Sequence, residues 1–239
     1  VTHHRFFVSG PLVARAIGRL NEIQSRQVHT VLRLRAGAEI VVFDGTGAEA
    51  TCELTEVLRG AATFRISDIC WPQREPEVDL TVGLALLRGD RFELAVQKLT
   101  EIGVRRIVPL EADRCVVTFR DVRDWEKRAE RLRRIIVEAM EQSERVLEVV
   151  LDHPVDPGVY FDRQPVVALR ERDSSPHLSL LPMRDKIAIA VGPEGGWSER
   201  EAALIERHAT PASLGNLVLR AETAAIVGAG VLVQRSYST

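Results

Sequence analysis

Cysteine is scarce. Cys52, Cys70 and Cys115 are the three in 239 residues, widely spaced and without a C-x-x-C pair. That excludes a disulfide framework and a zinc site built on paired thiolates. The six histidines are scattered too, so no metal is expected. Long apolar runs are also lacking: the stretch 224–233, the longest near the C-terminus, is too short to cross a bilayer. No basic-then-apolar leader opens the chain, which predicts a cytoplasmic protein with no membrane partner. Excess charge is missing as well. Lys and Arg number 32 against 34 Asp and Glu, a net of −2, which argues against a highly basic nucleic-acid binder unless folding sorts the charges onto one face. Nearly all the cations are Arg, which forks onto phosphate better than Lys does.

What is present suits a globular chain of two modest domains, with 45% hydrophobic and 28% charged residues. Residues 1–73 read mostly as β, with strands expected over 4–8, 39–43, 49–58 and 62–70. Turns fall at Asp44-Gly45-Thr46-Gly47 and Arg59-Gly60, and Asn21-Glu22 signals a helix start before 28–34, a short helix or its exit. Short strands at this spacing predict a small barrel. The proline-bearing stretch 71–77 reads as a linker to a second domain over 74–239.

From residue 78 strands and helices alternate, which predicts an α/β domain with a largely parallel sheet. Strands are expected over 78–87, 106–110, 166–169 and 187–191. Asp90 is read as the cap of one helix, with Glu93 at the box position and Gly103 ending it. Asp124 is read as the cap of a long helix to about Arg145, buried along Leu132, Ile135, Ile136, Ala139 and Met140. Residues 146–150 read as a short strand or exit, and 152–164 and 171–184 as loops.

The informative stretch is 187–225. An apolar run ends in Gly192-Pro193-Glu194-Gly195-Gly196, and Ser198 with Glu201 three residues on forms a capping box for a helix. Strand, glycine turn and capped helix make the usual floor of a ligand site at the carboxyl end of a strand. The arrangement is expected to repeat: strands over 212–214 and 217–219 around Gly215-Asn216, then a last helix over roughly 222–234. The two halves read as walls of one pocket. The glycine turn is not a phosphate loop, because no Gly-Lys-Ser/Thr follows, nor a dinucleotide fingerprint. Spacing alone fits a plain tight turn equally well. Glu222 and Thr223 fit a helix cap, and Glu138, Glu141, Gln142 and Arg145 a solvated helix face.

The motifs together go further. Gly192-Pro193-Glu194-Gly195-Gly196, Leu214-Gly215 and Leu219-Arg220-Ala221-Glu222-Thr223-Ala224 closely resemble the RsmE family, bacterial ribosomal RNA uridine-N3 methyltransferases of the SPOUT class. Arg5-Phe6-Phe7, His29-Thr30-Val31-Leu32-Arg33, the segment 97–104 (QKLTEIGV) and the segment 138–145 (EAMEQSER) match the family in order along nearly the whole chain. Glu144 and Asn216-Leu217 depart from its common residues, and neither removes a signature position.

The resemblance implies a small PUA-like β-barrel before a C-terminal SPOUT α/β domain with a trefoil knot within about 187–239. It implies a homodimer that binds S-adenosylmethionine and methylates uridine N3 in 16S ribosomal RNA or the assembled small ribosomal subunit. The implied cofactor residues are Leu169, Gly192, Glu194, Gly195, Gly196, Leu214, Gly215, Leu219, Arg220, Thr223 and Ala224. Arg220, Glu222, Glu141 and Arg145 are the catalytic candidates, and Arg5 and Arg33 the RNA-binding ones. The alternatives are a SPOUT enzyme acting on another RNA or on ribose 2′-OH, and a non-catalytic RNA-binding factor.

Overall fold

The computed structural model describes residues 4–171 and 174–237. The chain packs as two compact units, Val1–Glu75 with Met140–Glu148, and Pro76–Ala139 with Val149–Thr239. The first unit therefore takes in a nine-residue segment from far along the chain, which a contiguous division at 73/74 does not contain.

The first unit is one five-stranded sheet in the order β1-β3-β4-β5-β2. Its strands are β1 (Arg5–Phe7), β2 (Ile17–Leu20), β3 (Glu39–Phe43), β4 (Glu49–Leu58) and β5 (Ala61–Cys70). β1 runs parallel to β3 and the other pairs are antiparallel. β2 had no sequence signal. Its Gly18 lies under the Phe64 ring, where an added Cβ would sit 2.3 Å from Cζ, so the strand is placed by packing. Helix α1 (Glu22–Arg26) starts at Asn21 with a reciprocal capping box to Gln24, then loosens into a π-helical turn over Gln27–Val31. Phe6, Val28, Ile40, Val42, Leu54 and Phe64 fill the core.

Met140–Glu148 is bound to this unit by charge-assisted hydrogen bonds. Glu75 accepts from the backbone N–H groups of Val146 (2.9 Å) and Leu147 (3.0 Å) and pairs with Arg145 at 2.9 Å. Glu141 accepts from Phe7 N–H at 2.9 Å.

The second unit holds a six-stranded, all-parallel sheet in the order β11-β9-β10-β6-β7-β8. The elements run β6 (Asp79–Ala85), α2 (Arg91–Ile102), β7 (Arg106–Leu110), α3 (Val122–Gln142), β8 (Val150–Leu151), α4 (Pro157–Arg163), β9 (Val166–Leu169), β10 (Lys186–Val191), α5 (Glu199–His208), β11 (Ala209–Ala212) and α6 (Ala221–Ser236). Leu80, Val82, Leu84, Ile107, Ala168 and Ile189 are fully buried, as expected where helices cover both faces and strands read as continuous apolar runs. Gly83 leaves room for the Tyr160 ring, whose hydroxyl donates to the Ile189 carbonyl at 3.0 Å.

Several local expectations are corrected. Asp90 precedes α2 but makes no side-chain cap, whereas Gly103 closes the helix as expected, with φ 112°. Asp121, not Asp124, caps α3: its Oδ1 accepts from Arg123 and Asp124 N–H at 2.8 and 3.0 Å. α3 ends at Gln142 rather than Arg145. The stretch read as a loop over 152–164 contains α4, started by Asp156 as N-cap with proline just inside. Residues 212–214 and 217–219 are not two strands: β11 is Ala209–Ala212, and the chain from there to α6 is loop. Among the described residues no helix is long and apolar enough to cross a membrane, and no group of three or more metal-ligating side chains gathers.

Candidate functional site

Parallel strands with crossover helices leave their carboxyl ends on one edge. A cavity of about 500 Å³ opens there, within the size range of small-molecule sites. Three loops wall it: residues 169–171 after β9, 191–197 after β10, and 214–221 leading into α6. Arg91 from α2 and Arg114 from the loop after β7 complete it.

The turn after β10 is shaped by glycine. A Cβ on Gly192 would lie 3.0 Å from the Trp197 ring, and Gly196 has φ +68°. The Trp197 indole N–H donates to the Leu169 carbonyl at 3.1 Å, tying the second wall to the first. Arg114 donates to the Gly195 carbonyl at 2.9 Å.

Below the turn, Ser198 and Glu201 form the expected capping box. Glu201 is fully buried. One of its oxygens accepts from Ser198 N–H and the other from Asp113 N–H, each at 2.8 Å. Ser198 Oγ donates to Asp113 at 2.6 Å, and Arg200 pairs with Asp113 (2.7 Å) and Asp156 (3.0 Å). The Arg200 guanidinium, with the Ser198 hydroxyl, holds the Asp113 carboxyl down at about 2. The glycine turn thus rests on a charged brace reaching the loop after β7.

The third wall is more open. Gly215 has φ +109°, while Leu217 and Val218 are exposed. Arg220 is the N-cap residue of α6 without a side-chain cap, and its guanidinium makes no hydrogen bond or ion pair among the described residues. Glu222, one turn-position inside α6, is buried. Its Oε1 lies 3.9 Å from Arg91 Nε, and its Oε2 has no hydrogen-bond partner among the described residues.

The structure brings most of the expected cofactor residues together. Leu169, Gly192, Glu194, Gly195, Gly196, Leu214, Gly215, Leu219, Arg220 and Ala224 all line the cavity. Thr223 stands beside them in the first turn of α6 but is not among the lining residues, and the same holds for Glu222. Glu141 and Arg145 belong to the first unit, where they make the contacts to Phe7 and Glu75 described above. Arg5 is there too, with its side chain 7% exposed, paired with Glu49 at 2.7 Å and stacked over Phe43. The two arginines Arg5 and Arg74 pull the Glu49 carboxyl below its ordinary range against the opposing effect of burial. Arg33 is exposed with a left-handed backbone, φ 54°. Sequence reasoning missed Arg91, Arg114 and Trp197 in the pocket. Only Trp197, next to the glycine turn, carried a local signal.

Residues 74–233 match the RNA methyltransferase domain family, and residues 30–67 match the RNA methyltransferase PUA domain. A methyltransferase from Legionella pneumophila, solved in complex with the bound cofactor SAM, superposes with a TM-score of 0.93 at 30% identity over 98% of both chains. A ribosomal RNA small subunit methyltransferase E from Neisseria gonorrhoeae, bound to S-adenosyl methionine, gives 0.89 at 27% identity, again over 98% of both chains. The ribosomal RNA small subunit methyltransferase E of Bacillus subtilis is 32% identical over 238 residues, 91% of this chain and 90% of its own length. A parallel α/β unit with this pocket, following a PUA domain, is the architecture of an RNA methyltransferase. Within that class the chain belongs to the ribosomal RNA small subunit methyltransferase E family.

Proposed function

We propose that this chain transfers the methyl group of S-adenosylmethionine to N3 of one uridine in the 16S RNA of the small ribosomal subunit. The observation that carries the reading is the cavity at the ends of β9, β10 and β11, where glycine turns bring backbone within reach of a ligand. Its volume and its exposed backbone groups around Gly195, Gly196 and Gly215 fit S-adenosylmethionine. Leu169, Gly192, Glu194, Gly195, Gly196, Leu214, Gly215, Leu219, Arg220, Thr223 and Ala224 would hold it. We further propose that the chain works in the cytoplasm as a homodimer, with α6 threaded through a trefoil knot and each site completed near the subunit interface.

When bound, the cofactor supplies an already activated methyl group on a sulfonium. The residues then have two tasks. One is alignment, which gains rate by holding the reacting atoms in line. The other concerns uracil N3, which carries a proton and is a poor nucleophile until that proton leaves or the ring anion is stabilised. Arg220, exposed at the pocket and without a partner among the described residues, suits stabilisation of the anionic ring. Glu222, in the first turn of α6 beside the cavity, stays a candidate proton acceptor on the family resemblance alone. Glu141 and Arg145 remain candidates to be tested by substitution, with the added expectation that they act on the stability of the first unit. The PUA-domain unit would hold RNA, with exposed Arg33 a candidate phosphate contact. Arg5 stays an RNA-contact candidate on the family resemblance alone, since its guanidinium is engaged by Glu49.

The test is calorimetric titration with S-adenosylmethionine, followed by incubation with small subunits and mass spectrometry of the digested RNA. Saturable binding and N3-methyluridine are expected. Binding without any methylated nucleoside would overturn the enzymatic reading, and methylation at ribose would overturn the assignment to N3. Full activity of Arg220→Ala would remove Arg220 from the mechanism.

A further inference from the structure

Gly195 is not a glycine for the sake of its backbone angle. Its φ lies outside the left-handed region, unlike that of Gly196. What requires it is a neighbour. A Cβ at position 195 would sit 3.3 Å from Arg114 Cβ, 3.5 Å from Cδ and 3.9 Å from Cγ, so the arginine stem lies along the glycine α-carbon. At the end of that stem Nη1 donates to the Gly195 carbonyl at 2.9 Å. The glycine turn is thus fitted around Arg114.

The chain beside Arg114 is fixed as well. Asp113 N–H donates to the fully buried Glu201 at 2.8 Å, and the Asp113 carboxylate accepts from Ser198 Oγ at 2.6 Å and pairs with Arg200 at 2.7 Å. Ordering an arginine costs side-chain entropy, and one exposed bond to a neutral carbonyl offsets little of it. A guanidinium also has further N–H donors, and beyond Gly195 those of Arg114 make no hydrogen bond or ion pair among the described residues. The adjacent carboxylate, Asp113, is already engaged by Arg200 and Ser198. Arg114 lines the cavity, where four arginines stand with two glutamates and Arg91 pairs with Glu194. This wall therefore brings an unmatched cation to the space a ligand would fill.

We propose that Arg114 binds the carboxylate of the methionine part of S-adenosylmethionine. This rests on the cofactor reading of the cavity given under the proposed function. S-adenosylmethionine carries a sulfonium, an ammonium and a single carboxylate, so it is a net cation. A guanidinium in its site is repelled by the first two groups and fits the third, to which it can donate two parallel bonds. Held by the Gly195 carbonyl and by the clamp at Asp113, the side chain is pre-organised and loses little further freedom on binding. The carboxylate is thereby fixed against the turn after β10, and the sulfonium, at the other end of the methionine chain, is set apart from the guanidinium.

The test is a cycle in which the protein and the ligand are each altered, read by calorimetry on the full-length protein. The ligands are S-adenosylmethionine, S-adenosylhomocysteine, which keeps the carboxylate and loses the sulfonium charge, and decarboxylated S-adenosylmethionine, which does the reverse. Wild type, Arg114→Met and Arg114→Lys are compared, the methionine keeping an unbranched stem along Gly195. Arg114→Met should bind the two carboxylate-bearing ligands about 5- to 10-fold more weakly, the low end for a charge-assisted bond because the site is exposed. Its affinity for decarboxylated S-adenosylmethionine should change by less than about twofold. Arg114→Lys, which keeps charge but not the fork, should recover part of the loss. Equal weakening of all three ligands would show that Arg114 only shapes the glycine turn and would overturn the proposal. Unchanged binding of all three would overturn it too, and a parallel loss of affinity for small ribosomal subunits, with a shallower salt dependence, would then assign the guanidinium to an RNA phosphate. Wild-type protein that binds none of the three would remove the cofactor reading itself, and this proposal with it.

Discussion

The indole N–H of Trp197 donates to the carbonyl of Leu169 at 3.1 Å, so the last residue of β9 and the glycine turn after β10 are held as one piece. Both residues line the cavity, so this bond ties two of its walls beyond the β9–β10 ladder. Trp197→Phe keeps most of the ring and removes the N–H. A neutral hydrogen bond is worth about 0.5–1.5 kcal/mol, so affinity for S-adenosylmethionine should fall by roughly 2- to 10-fold. Calorimetry checks this, and unchanged affinity would mean the loops hold their spacing without it.

Gly195 packs its α-carbon against Arg114, where an added Cβ would come within 3.3 Å of the arginine Cβ. Gly195 lines the cavity, so Gly195→Trp brings an indole into the space a ligand would fill. Cofactor binding should be lost altogether, with a folded circular dichroism spectrum retained. A variant that still titrates normally would place the ligand elsewhere.

Asp113 gives a pH signature. Its folded carboxyl sits at about 2, below the ordinary 3.8, because Arg200 and Ser198 hydrogen-bond to the anion. A lowered folded value means the stabilisation is present above the unfolded value and lost as pH falls through the folded one. The stability gap between the wild type and Asp113→Asn should therefore be constant near neutrality and shrink from about pH 4 down to about pH 2. Asp113 is 39% exposed, so the gap should be modest. Denaturant melts across that range test it, and a gap that widens on acidification would contradict the brace.

Arg145 is buried and Glu75 nearly so, with side chains 5% and 10% exposed. Removing one member of such a pair leaves an uncompensated charge and typically costs about 3–5 kcal/mol. Arg145→Ala should accordingly lower the melting temperature by several degrees, besides any effect on turnover. A variant with wild-type stability and reduced methylation would mark Arg145 as acting in the reaction alone.

Arg33 is exposed in the unit that matches the PUA domain. If its guanidinium neutralises one phosphate, Arg33→Ala should weaken binding to small subunits and reduce the slope of log affinity against log salt by about one. An unchanged slope would remove it from the interface.

The sequence displayed this site unevenly. The Ser198–Glu201 box was legible because both partners lie within one turn, and the glycine turn because strand, turn and cap followed one another. β11 was missed because Pro211 lies within it, and proline is tolerated there only because β11 is an edge strand. Asp121 and Asp124 are equally good caps by type, and only the folded backbone selects between them. Arg91 and Arg114 reach the pocket because β6 lies beside β10 and β7 beside β6 in sheet order, a fact of topology that no spacing displays. The same holds for Met140–Glu148: the stripe ending at Met140 announced a helix but not the unit its last residues would join.

That segment sets a schedule for biosynthesis. The sheet of the first unit is complete once Cys70 has been made, yet the acceptor Glu75 waits for Arg145, Val146 and Leu147. At roughly 5–20 residues per second, the ribosome takes several seconds to deliver those seventy or so residues. During that interval the nascent sheet carries an unmatched carboxylate, so the first unit matures only after much of the second has been translated.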